Sequence, residues 1–120
     1  MADARRVLGD AGEDLVARWY VDAGYRVLDR NWRCREGELD VIVSRDSILV
    51  FCEVKTRRST AFGTPAEAVT FTKQRRLRTL AMRWLDAHPA ARARTLRFDV
   101  ASVLVAQGAV PVVEVIEAAF

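Results

Sequence analysis

A run of five apolar residues, Ile48–Cys52, constrains the fold of this chain more than any other feature of its sequence. Because successive side chains of a strand point to opposite faces, this segment would be apolar on both faces. A strand of that kind is typical of a sheet covered on both sides. The run continues into Glu53-Val54-Lys55, which places two charged side chains on one strand face. Burial of an unpaired charge is costly, so this strand indicates both a fold and a site.

The rest of the sequence predicts one α/β domain over residues 1–120, in the order helix, three strands, helix, two strands. Helical spacing of apolar residues predicts the first helix, and Gly24 is a natural stop for it. The turn at residues 45–47 joins strands two and three into a hairpin. The predicted elements are a helix over residues 9–23, strands over 25–32, 39–44 and 48–56, a helix over 64–87 with a break near Thr72, and strands over 96–105 and 112–116.

The predicted hairpin brings two acidic residues together. Asp40 and Glu53 fall on neighbouring strands, near the end of the hairpin that is away from its turn. Strict alternation in the second strand predicts one face for Leu39, Val41 and Val43, and the opposite face for Asp40. The sequence therefore predicts a pair of carboxylates at the open end of the hairpin.

Composition indicates an ordinary globular protein. Hydrophobic residues make up 51% of the chain and charged residues 29%, values typical of this class. The sequence has no apolar run of about 18 residues, and its N-terminus lacks the apolar core of a secretory signal. We therefore expect a cytoplasmic protein with no membrane partner.

Other polar residues are expected to have structural roles. Cys34 and Cys52 are expected to be free thiols in a reducing compartment. Two cysteines with the single His88 do not make a structural zinc site. Asp99, in the fourth predicted strand, is expected to pair with a nearby arginine.

Basic residues are concentrated in the second half of the chain. Residues 57–97 hold ten Arg or Lys against two acids, a net charge of +8, whereas the first 56 residues hold eleven acids against nine bases. A basic surface beside an acidic cluster suits a polyanion held near a metal ion. The candidate nucleic-acid contacts are Arg57, Arg58, Lys73 and Arg76. Charge alone leaves open the alternative that these residues form an ordinary solvated helix face.

The acidic residues suit phosphodiester hydrolysis assisted by a divalent ion. Such an ion holds the phosphate, lowers the pKa of water and offsets charge in the transition state. Magnesium prefers oxygen ligands and retains several waters, so Asp40 and Glu53 suffice as side-chain ligands, with the Val54 backbone carbonyl as a third. We therefore expect Mg²⁺ or Mn²⁺ as the cofactor. Glu38 shares the strand face of Asp40 and either joins this site or is solvated at a loop edge.

Lys55 is the candidate catalytic cation. It shares a strand face with Glu53, where it can orient or deprotonate the attacking water, or stabilise the developing charge. Only Lys55 and Lys73 among the 19 basic residues are lysine, and lysine differs from arginine as a compact charge whose pKa shifts on burial. A Glu–Lys pair is also common at exposed strand ends. The preceding buried strand and Asp40 at hairpin spacing favour the catalytic interpretation.

Several short motifs, distributed over nearly the whole chain, together make a specific signature. They are Gly12-Glu13, Gly24-Tyr25, Arg30-Asn31-Trp32-Arg33, Gly37-Glu38-Leu39-Asp40, Val50-Phe51-Cys52-Glu53-Val54-Lys55-Thr56-Arg57, Gly63, Ala68-Val69 and Lys73. On these motifs the chain resembles the YraN-like family (uncharacterised protein family 0102), a bacterial group placed in the PD-(D/E)XK nuclease superfamily.

The resemblance implies a restriction-endonuclease-like core, a mixed central sheet flanked by helices. It also implies metal ligation by Asp40 and Glu53 and a catalytic role for Lys55. The superfamily branch similar to Holliday-junction resolvases uses a further acid from the first helix, and Glu13 occupies that position. The chain departs from the superfamily pattern at Leu39, where a proline would precede the acid. The carboxylate binds the metal, so this departure leaves the implied site intact.

Two functions from different classes follow. The first is a Mg²⁺- or Mn²⁺-dependent endonuclease, with DNA favoured over RNA. Junction cleavage would suggest a homodimer, because two strands are cut symmetrically. The second is a non-catalytic nucleic-acid-binding protein that retains the nuclease fold, since fold does not imply function. The intact Asp40, Glu53 and Lys55 favour the enzyme. A third interpretation is a housekeeping α/β domain whose charges are structural.

Overall fold

The computed structural model describes residues 4–58, 69–91 and 94–120. Within these residues the chain forms two α-helices, five strands and a short 3₁₀ turn at Pro89–Ala91. In chain order they are α1 (Ala4–Asp22), β1 (Arg26–Cys34), β2 (Gly37–Arg45), β3 (Ile48–Arg57), α2 (Phe71–Ala87), β4 (Thr95–Leu104) and β5 (Val112–Ile116). The predicted order of helix, three strands, helix and two strands is confirmed.

The strands form one mixed sheet in the order β1-β2-β3-β4-β5. The pairs β1–β2, β2–β3 and β4–β5 are antiparallel, whereas β3 and β4 run parallel. Short turns can join antiparallel neighbours, but a parallel pair needs a longer crossover, and α2 lies in that connection. This mixed α/β architecture matches the restriction-endonuclease-like core that the resemblance implied.

The sheet separates two apolar clusters, and β3 contributes to both. The α1-side cluster includes Val16, Tyr20, Val41, Val43, Val50 and Cys52. The α2-side cluster includes Leu39, Ile42, Leu49, Phe51, Leu77, Leu80 and Trp84. Residues Leu49–Cys52 are at most 3% exposed. The prediction of a central strand buried on both faces is therefore confirmed.

Two helix starts differ from the predicted ones. Helix α1 extends back to Ala4, ahead of the predicted start at Gly9. Helix α2 begins at Phe71, with Thr70 as its N-cap, and the Thr70 hydroxyl accepts a hydrogen bond from the Lys73 backbone N–H. The predicted break near Thr72 is thus close to a true helix start but misplaced, because both threonines are suitable caps. The cap predicted over residues 64–67 lies outside the described residues.

The predicted alternation of β2 is wrong at Leu39. Leu39 packs in the α2-side cluster with Ile42, whereas Val41 and Val43 pack in the α1-side cluster. Strict alternation would have placed Leu39 with the two valines. The reason is that β2 leaves its regular pairing with β3 at Asp40, so the pleat does not continue in phase through this residue.

A buried carboxylate fastens α1 to the sheet. Asp99 is fully buried and accepts hydrogen bonds from the Tyr20 hydroxyl at 2.6 Å, from Arg97 Nε and Nη2 at 2.9 Å each, and from the Ala118 N–H at 3.0 Å. The hydrogen bond to Asp99 raises the pKa of Arg97. The expected pairing of Asp99 with an arginine is confirmed, and the set of donors explains how a charge is tolerated there.

Two further expectations concern the cysteines and the membrane. Cys52 is buried, Cys34 is half-buried, and both are free thiols, as expected. In the part of the chain that the structure describes, neither helix is long and apolar enough to cross a bilayer.

Helix α1 packs closely against β3 at Gly12. A Cβ atom at Gly12 would lie well inside van der Waals contact with the Thr56 hydroxyl oxygen. That oxygen is buried and has no hydrogen-bond partner among the described residues. Glycine therefore sets the separation of helix and strand, and the next residue, Glu13, is held against the sheet.

We predict that Gly12→Ala lowers the free energy of unfolding by about 1–3 kcal/mol, because the added methyl group overpacks the contact with Thr56. Gly9→Ala is the matched control on the same helix. A Cβ at Gly9 meets nothing within 4 Å, so helix propensity alone should stabilise that variant by up to about 1 kcal/mol. Urea denaturation measures both. Adding Thr56→Ala should recover part of the loss, and equal effects of the two alanines would contradict the packing argument.

Candidate metal centre

Asp40 lies at the centre of the candidate site, where β2 separates from β3. Regular pairing of the two strands ends with Val41 opposite Cys52. Beyond that pair, Oδ2 of Asp40 accepts a hydrogen bond from the Val54 N–H at 2.9 Å. The side chain thus takes the place of a backbone partner. The N–H and C=O of one strand residue face the same neighbouring strand, so the Val54 carbonyl faces this gap too.

Three carboxylates converge at this point. Glu13 comes from α1, and Glu38 and Asp40 come from β2. Each contributes an oxygen atom, and these three atoms all lie within 4.8 Å of one another. Glu13 is buried, and the other two are half-buried. The structure therefore brings together Glu13 and Asp40, both predicted from the sequence. It adds Glu38, for which the sequence left two possibilities open.

Glu53 lies beside this carboxylate cluster and is not a member of it. It lines a cavity of about 240 Å³ together with Asp40, Lys73 and Arg76. Among neighbouring charges, Glu53 makes the largest contribution to the raised pKa of Asp40. Asp40 therefore connects the cluster to the cavity that Glu53 lines.

The carboxylates repel one another in a poorly solvated environment. Burial raises the pKa of Asp40 to about 8; Glu53 adds to this effect, and the hydrogen bond from Val54 partly opposes it. Burial also raises the pKa of Glu13 to about 7, with Glu38 adding to it. A cation placed among these groups would relieve the repulsion and favour their charged forms.

The donor set fits a hard divalent cation. Its donors are carboxylate oxygens, with a backbone carbonyl beside them, and Mg²⁺ and Mn²⁺ prefer such ligands. Among the described residues, the cluster of potential ligands contains no histidine or cysteine. Glu13, Glu38 and Asp40 form the cluster, and Glu53 and Val54 border it. Mg²⁺ or Mn²⁺ is therefore a chemically suitable ion for this site.

Both lysines of the chain lie on the Glu53 side of the site. Nζ of Lys55 lies 3.6 Å from Oε1 of Glu53. Lys73, from the first turn of α2, lines the same cavity as Glu53. Its interaction with Lys55 lowers the pKa of Lys73. The fold thus brings the only two lysines of the sequence together beside the carboxylates.

The four predicted nucleic-acid contacts fall in different places. Lys73 and Arg76 line the cavity beside the acids. Arg57 is the last residue of β3 and is half-buried. Arg58 is exposed and lines a separate cavity of about 530 Å³ that also includes Leu8 of α1. Lys73 and Arg76 are therefore the two that the structure places next to Asp40.

A larger cleft, of about 870 Å³, also borders Asp40. Its lining includes Arg6, Arg30, Arg33, Glu13, Glu38 and Asp40. Two of its arginines are engaged by acids, since Arg30 pairs with Asp14 and Arg33 Nε lies 3.1 Å from Oε2 of Glu38. Both the cleft and the smaller cavity therefore combine charges of both signs: the cleft has Arg6 free of these two pairs, and the cavity has Lys73 and Arg76 beside its acids.

Sequence reasoning placed Asn31 in the Arg30–Arg33 signature motif but gave it no role in the site. This residue of β1 has a left-handed φ of 51° and lies between two aligned pairs of the β1–β2 ladder, opposite Asp40. Oriented to satisfy its hydrogen bonds, the amide nitrogen donates to Oε2 and Oε1 of Glu13 at 2.7 and 2.9 Å, and to Oε1 of Glu38 at 3.0 Å. Asparagine tolerates left-handed backbone better than most residues, but nothing in the strand pattern marked this position.

Comparison with known proteins gives the family. The model of Uncharacterised protein family UPF0102 matches residues 12–103, an interval that includes every residue of the site. The chain belongs to this family. A UPF0102 protein of Rhodococcus opacus (strain B4) is 50% identical over 113 residues, covering 94% of this chain and 95% of that protein.

Other UPF0102 members are equally similar. A protein of Nocardia farcinica (strain IFM 10152) is 51% identical over 116 residues, which cover 97% of this chain and 91% of the relative. A protein of Frankia casuarinae is 55% identical over 97 residues, 81% of each chain. The resemblance inferred from the sequence motifs is therefore confirmed. The UPF0102 description names no activity, so a functional conclusion rests on the chemistry of the site.

We predict that Asp40→Asn stabilises the metal-free protein at pH 8.5 but not at pH 4. The pKa of Asp40 is raised from an ordinary value of 3.8 to about 8. Between pH 3.8 and about pH 8, Asp40 is protonated in the folded state and ionised in the unfolded state. The free energy of unfolding therefore falls as the pH rises through this range. Asparagine does not ionise, so the variant keeps this stability, and its side-chain oxygen can still accept the hydrogen bond from the Val54 N–H. At pH 8.5 its free energy of unfolding should exceed that of the wild type by at least about 1 kcal/mol.

Urea denaturation in chelator at the two pH values measures this difference. Asp46→Asn, in the exposed turn between β2 and β3, is the control for the same chemical change away from the site. A stability gap between Asp40→Asn and the wild type that stays constant with pH would contradict the electrostatic argument.

Proposed function

We propose that this chain is a divalent-metal-dependent endonuclease that hydrolyses phosphodiester bonds in nucleic acid, with DNA as its polymer. One observation supports this more than any other. A partly buried carboxylate cluster, Glu13, Glu38 and Asp40, borders a cavity in which Lys73 and Arg76 lie beside the acids. The carboxylates suit a divalent cation, and Lys73 and Arg76 suit a phosphate group, so a phosphate placed between them and the cation would meet both requirements of hydrolysis.

Each acidic residue has a task in this proposal. When bound, the divalent ion would hold a phosphate oxygen and lower the pKa of a water molecule. Asp40 would hold the ion at the junction of cluster and cavity, and Glu13 would hold it from α1. Glu53 and the Val54 carbonyl would complete the ligands from β3. Because Glu13 and Asp40 are held by packing and hydrogen bonding, little reorganisation would be needed on binding.

Lys55 is the proposed catalytic cation. Glu53 holds its ammonium group at 3.6 Å, on the side of the site where Lys73 and Arg76 lie. In this position Lys55 either stabilises the charge that develops on the phosphate or orients and deprotonates the water. Lys73 and Arg76 then bind the phosphates of the polymer.

Branched DNA is the proposed substrate class, and it follows from the resemblance to Holliday-junction resolvases. Cleavage of a junction requires symmetric cuts in two strands, so the active form would be a homodimer. A panel of single-stranded, duplex, flap and junction DNA, with matching RNA, tests polymer and structure together. It is run with Mg²⁺, with Mn²⁺ and with chelator.

A non-catalytic nucleic-acid-binding protein is the second candidate. The observation that favours it is the position of Glu53, which pairs with Lys55 and lies outside the carboxylate cluster. In a binding protein, Glu53 and Lys55 would remain paired with each other, and neither side chain would take part in catalysis. Failure of the wild type to cut any member of the panel with either metal, together with tight binding of one member, would favour this candidate.

We predict that Lys55→Ala loses cleavage by on the order of a hundredfold or more, because a group that acts in the transition state is removed. Lys55→Arg should also fail, since a planar guanidinium is larger and does not release its proton near neutral pH. Both variants should retain binding of Mn²⁺ and of DNA. Arg26→Ala, at the exposed start of β1, is the surface control. Full activity of Lys55→Ala would remove Lys55 from the mechanism.

We predict that Lys73 and Arg76 contribute to the salt dependence of DNA binding. Each lost phosphate contact should flatten the slope of log K against log [salt] by about one unit. Fluorescence anisotropy in chelator compares Arg76→Ala with Arg75→Ala, an exposed arginine of the same helix outside the cavity lining. Identical slopes for these two variants would place the polymer elsewhere. A flatter slope for the double variant Arg57→Ala/Arg58→Ala would show that the DNA contact extends to the end of β3.

A further inference from the structure

Asn31 makes three short contacts with the carboxylate cluster. Its amide nitrogen donates to both oxygens of Glu13, at 2.7 and 2.9 Å, and to one oxygen of Glu38, at 3.0 Å. Glu13 belongs to α1 and Glu38 to β2, whereas Asn31 belongs to β1. One side chain therefore fixes the relative positions of two acids that come from different elements.

The chemical nature of this donor matters. An arginine or lysine in the same place would hold the two acids equally well, but its charge would neutralise them and compete with a divalent ion. A neutral amide orients the carboxylates and leaves their negative charge available. Arg30, the preceding residue, pairs instead with Asp14, at the exposed surface. Arg33 pairs with Oε2 of Glu38, whereas Asn31 contacts Oε1 of the same residue. The contact that joins Glu38 to Glu13 is thus made by an uncharged group.

The backbone shows the same specialisation. Asn31 has a φ of 51°, a left-handed conformation within a strand, which asparagine adopts at lower cost than most residues. It lies opposite Asp40, where β2 leaves its pairing with β3. The irregular backbone of β1 and the acid that anchors the site therefore occur at the same level of the sheet.

We propose that Asn31 is a positioning residue of the metal centre: it holds the carboxylates of Glu13 and Glu38 together for a divalent cation without cancelling their charge. This inference rests on the proposed function, because it assumes that the cluster binds a metal. Asn31 is not assigned as a ligand or as a catalytic residue. It acts through the two acids that it contacts.

The test compares Mn²⁺ binding by the wild-type chain and by Asn31→Gly. Glycine retains the left-handed conformation and removes the amide. Loss of a residue that orients metal ligands should raise the dissociation constant for Mn²⁺ by about 10- to 100-fold. The matched control is Asp46→Gly, since Asp46 also has a left-handed φ, of 53°, and lies in the β2–β3 turn. Its Mn²⁺ affinity should equal that of the wild type.

A second pair of variants keeps the inference testable if Asn31→Gly folds poorly. Asn31→Lys supplies a cation to the same acids, and Asp46→Lys carries the same change at a backbone position of similar φ. Asn31→Lys should lose Mn²⁺ binding, whereas Asp46→Lys should retain it. The electron paramagnetic resonance signal of free Mn²⁺ gives each dissociation constant, and the Mn²⁺-dependent rise in melting temperature is an independent readout.

The outcomes separate the two proposals. If the wild type binds Mn²⁺ and Asn31→Gly binds it equally well, the assignment of Asn31 is overturned and the metal centre stands. If the wild type shows neither a Mn²⁺ dissociation constant nor a rise in melting temperature, the metal centre is overturned, and the role of Asn31 with it. Weaker binding in Asn31→Gly than in Asp46→Gly, with loss of binding in Asn31→Lys, supports the inference.

Discussion

The site depends on one hydrogen bond, from the Val54 N–H to Oδ2 of Asp40. In a regular hairpin, backbone groups would continue to pair β2 with β3 along this stretch. Here a side chain satisfies the N–H of β3, and the two strands are free to separate without leaving a buried donor unpaired. The separation leaves Asp40 and Glu53 lining one cavity.

Two groups of buried acids within one small fold illustrate the difference between a structural and a functional carboxylate. Asp99 receives hydrogen bonds from Arg97, Tyr20 and the Ala118 N–H, so its charge is compensated and the group locks α1 to the sheet. Asp40 accepts one from a neutral N–H and faces other carboxylates. Burial without compensation raises the pKa of Asp40 to about 8. A fold would not gain stability from such a cluster, and function is therefore its better explanation.

Sequence reasoning recovered what depends on apolar pattern and on chain order. The buried run Ile48–Cys52 identified the central strand, and the last strand was predicted with its observed bounds, Val112–Ile116. The turn at residues 45–47 was enough to bring Asp40 and Glu53 to neighbouring strands. These features are visible because periodicity and turn chemistry are local properties of the chain.

The missed features are those that local pattern does not encode. Leu39 was assigned to the wrong face because alternation assumes a continuous pleat, and the pleat changes phase at Asp40. Asn31 was part of a signature motif but had no assigned role, since its left-handed backbone and its contacts to Glu13 are properties of the folded chain. Thr70 and Thr72 are equivalent as caps in sequence, and tertiary packing selects between them. The sequence thus located the acids but not what orients them.

The crossover that the parallel pairing of β3 with β4 requires divides the site between two parts of the chain. Residues from α1 through β3 make a contiguous segment joined by short turns, and this segment carries Glu13, Asp40 and Glu53. Lys73 and Arg76 arrive on the crossover helix, whose docking depends on contacts distant in sequence. The carboxylates and Lys55 therefore lie on one contiguous segment, whereas Lys73 and Arg76 lie on the crossover helix. Substitutions in α2 can therefore change the Lys73 and Arg76 side of the cavity while the segment that carries the carboxylates keeps its own short connections.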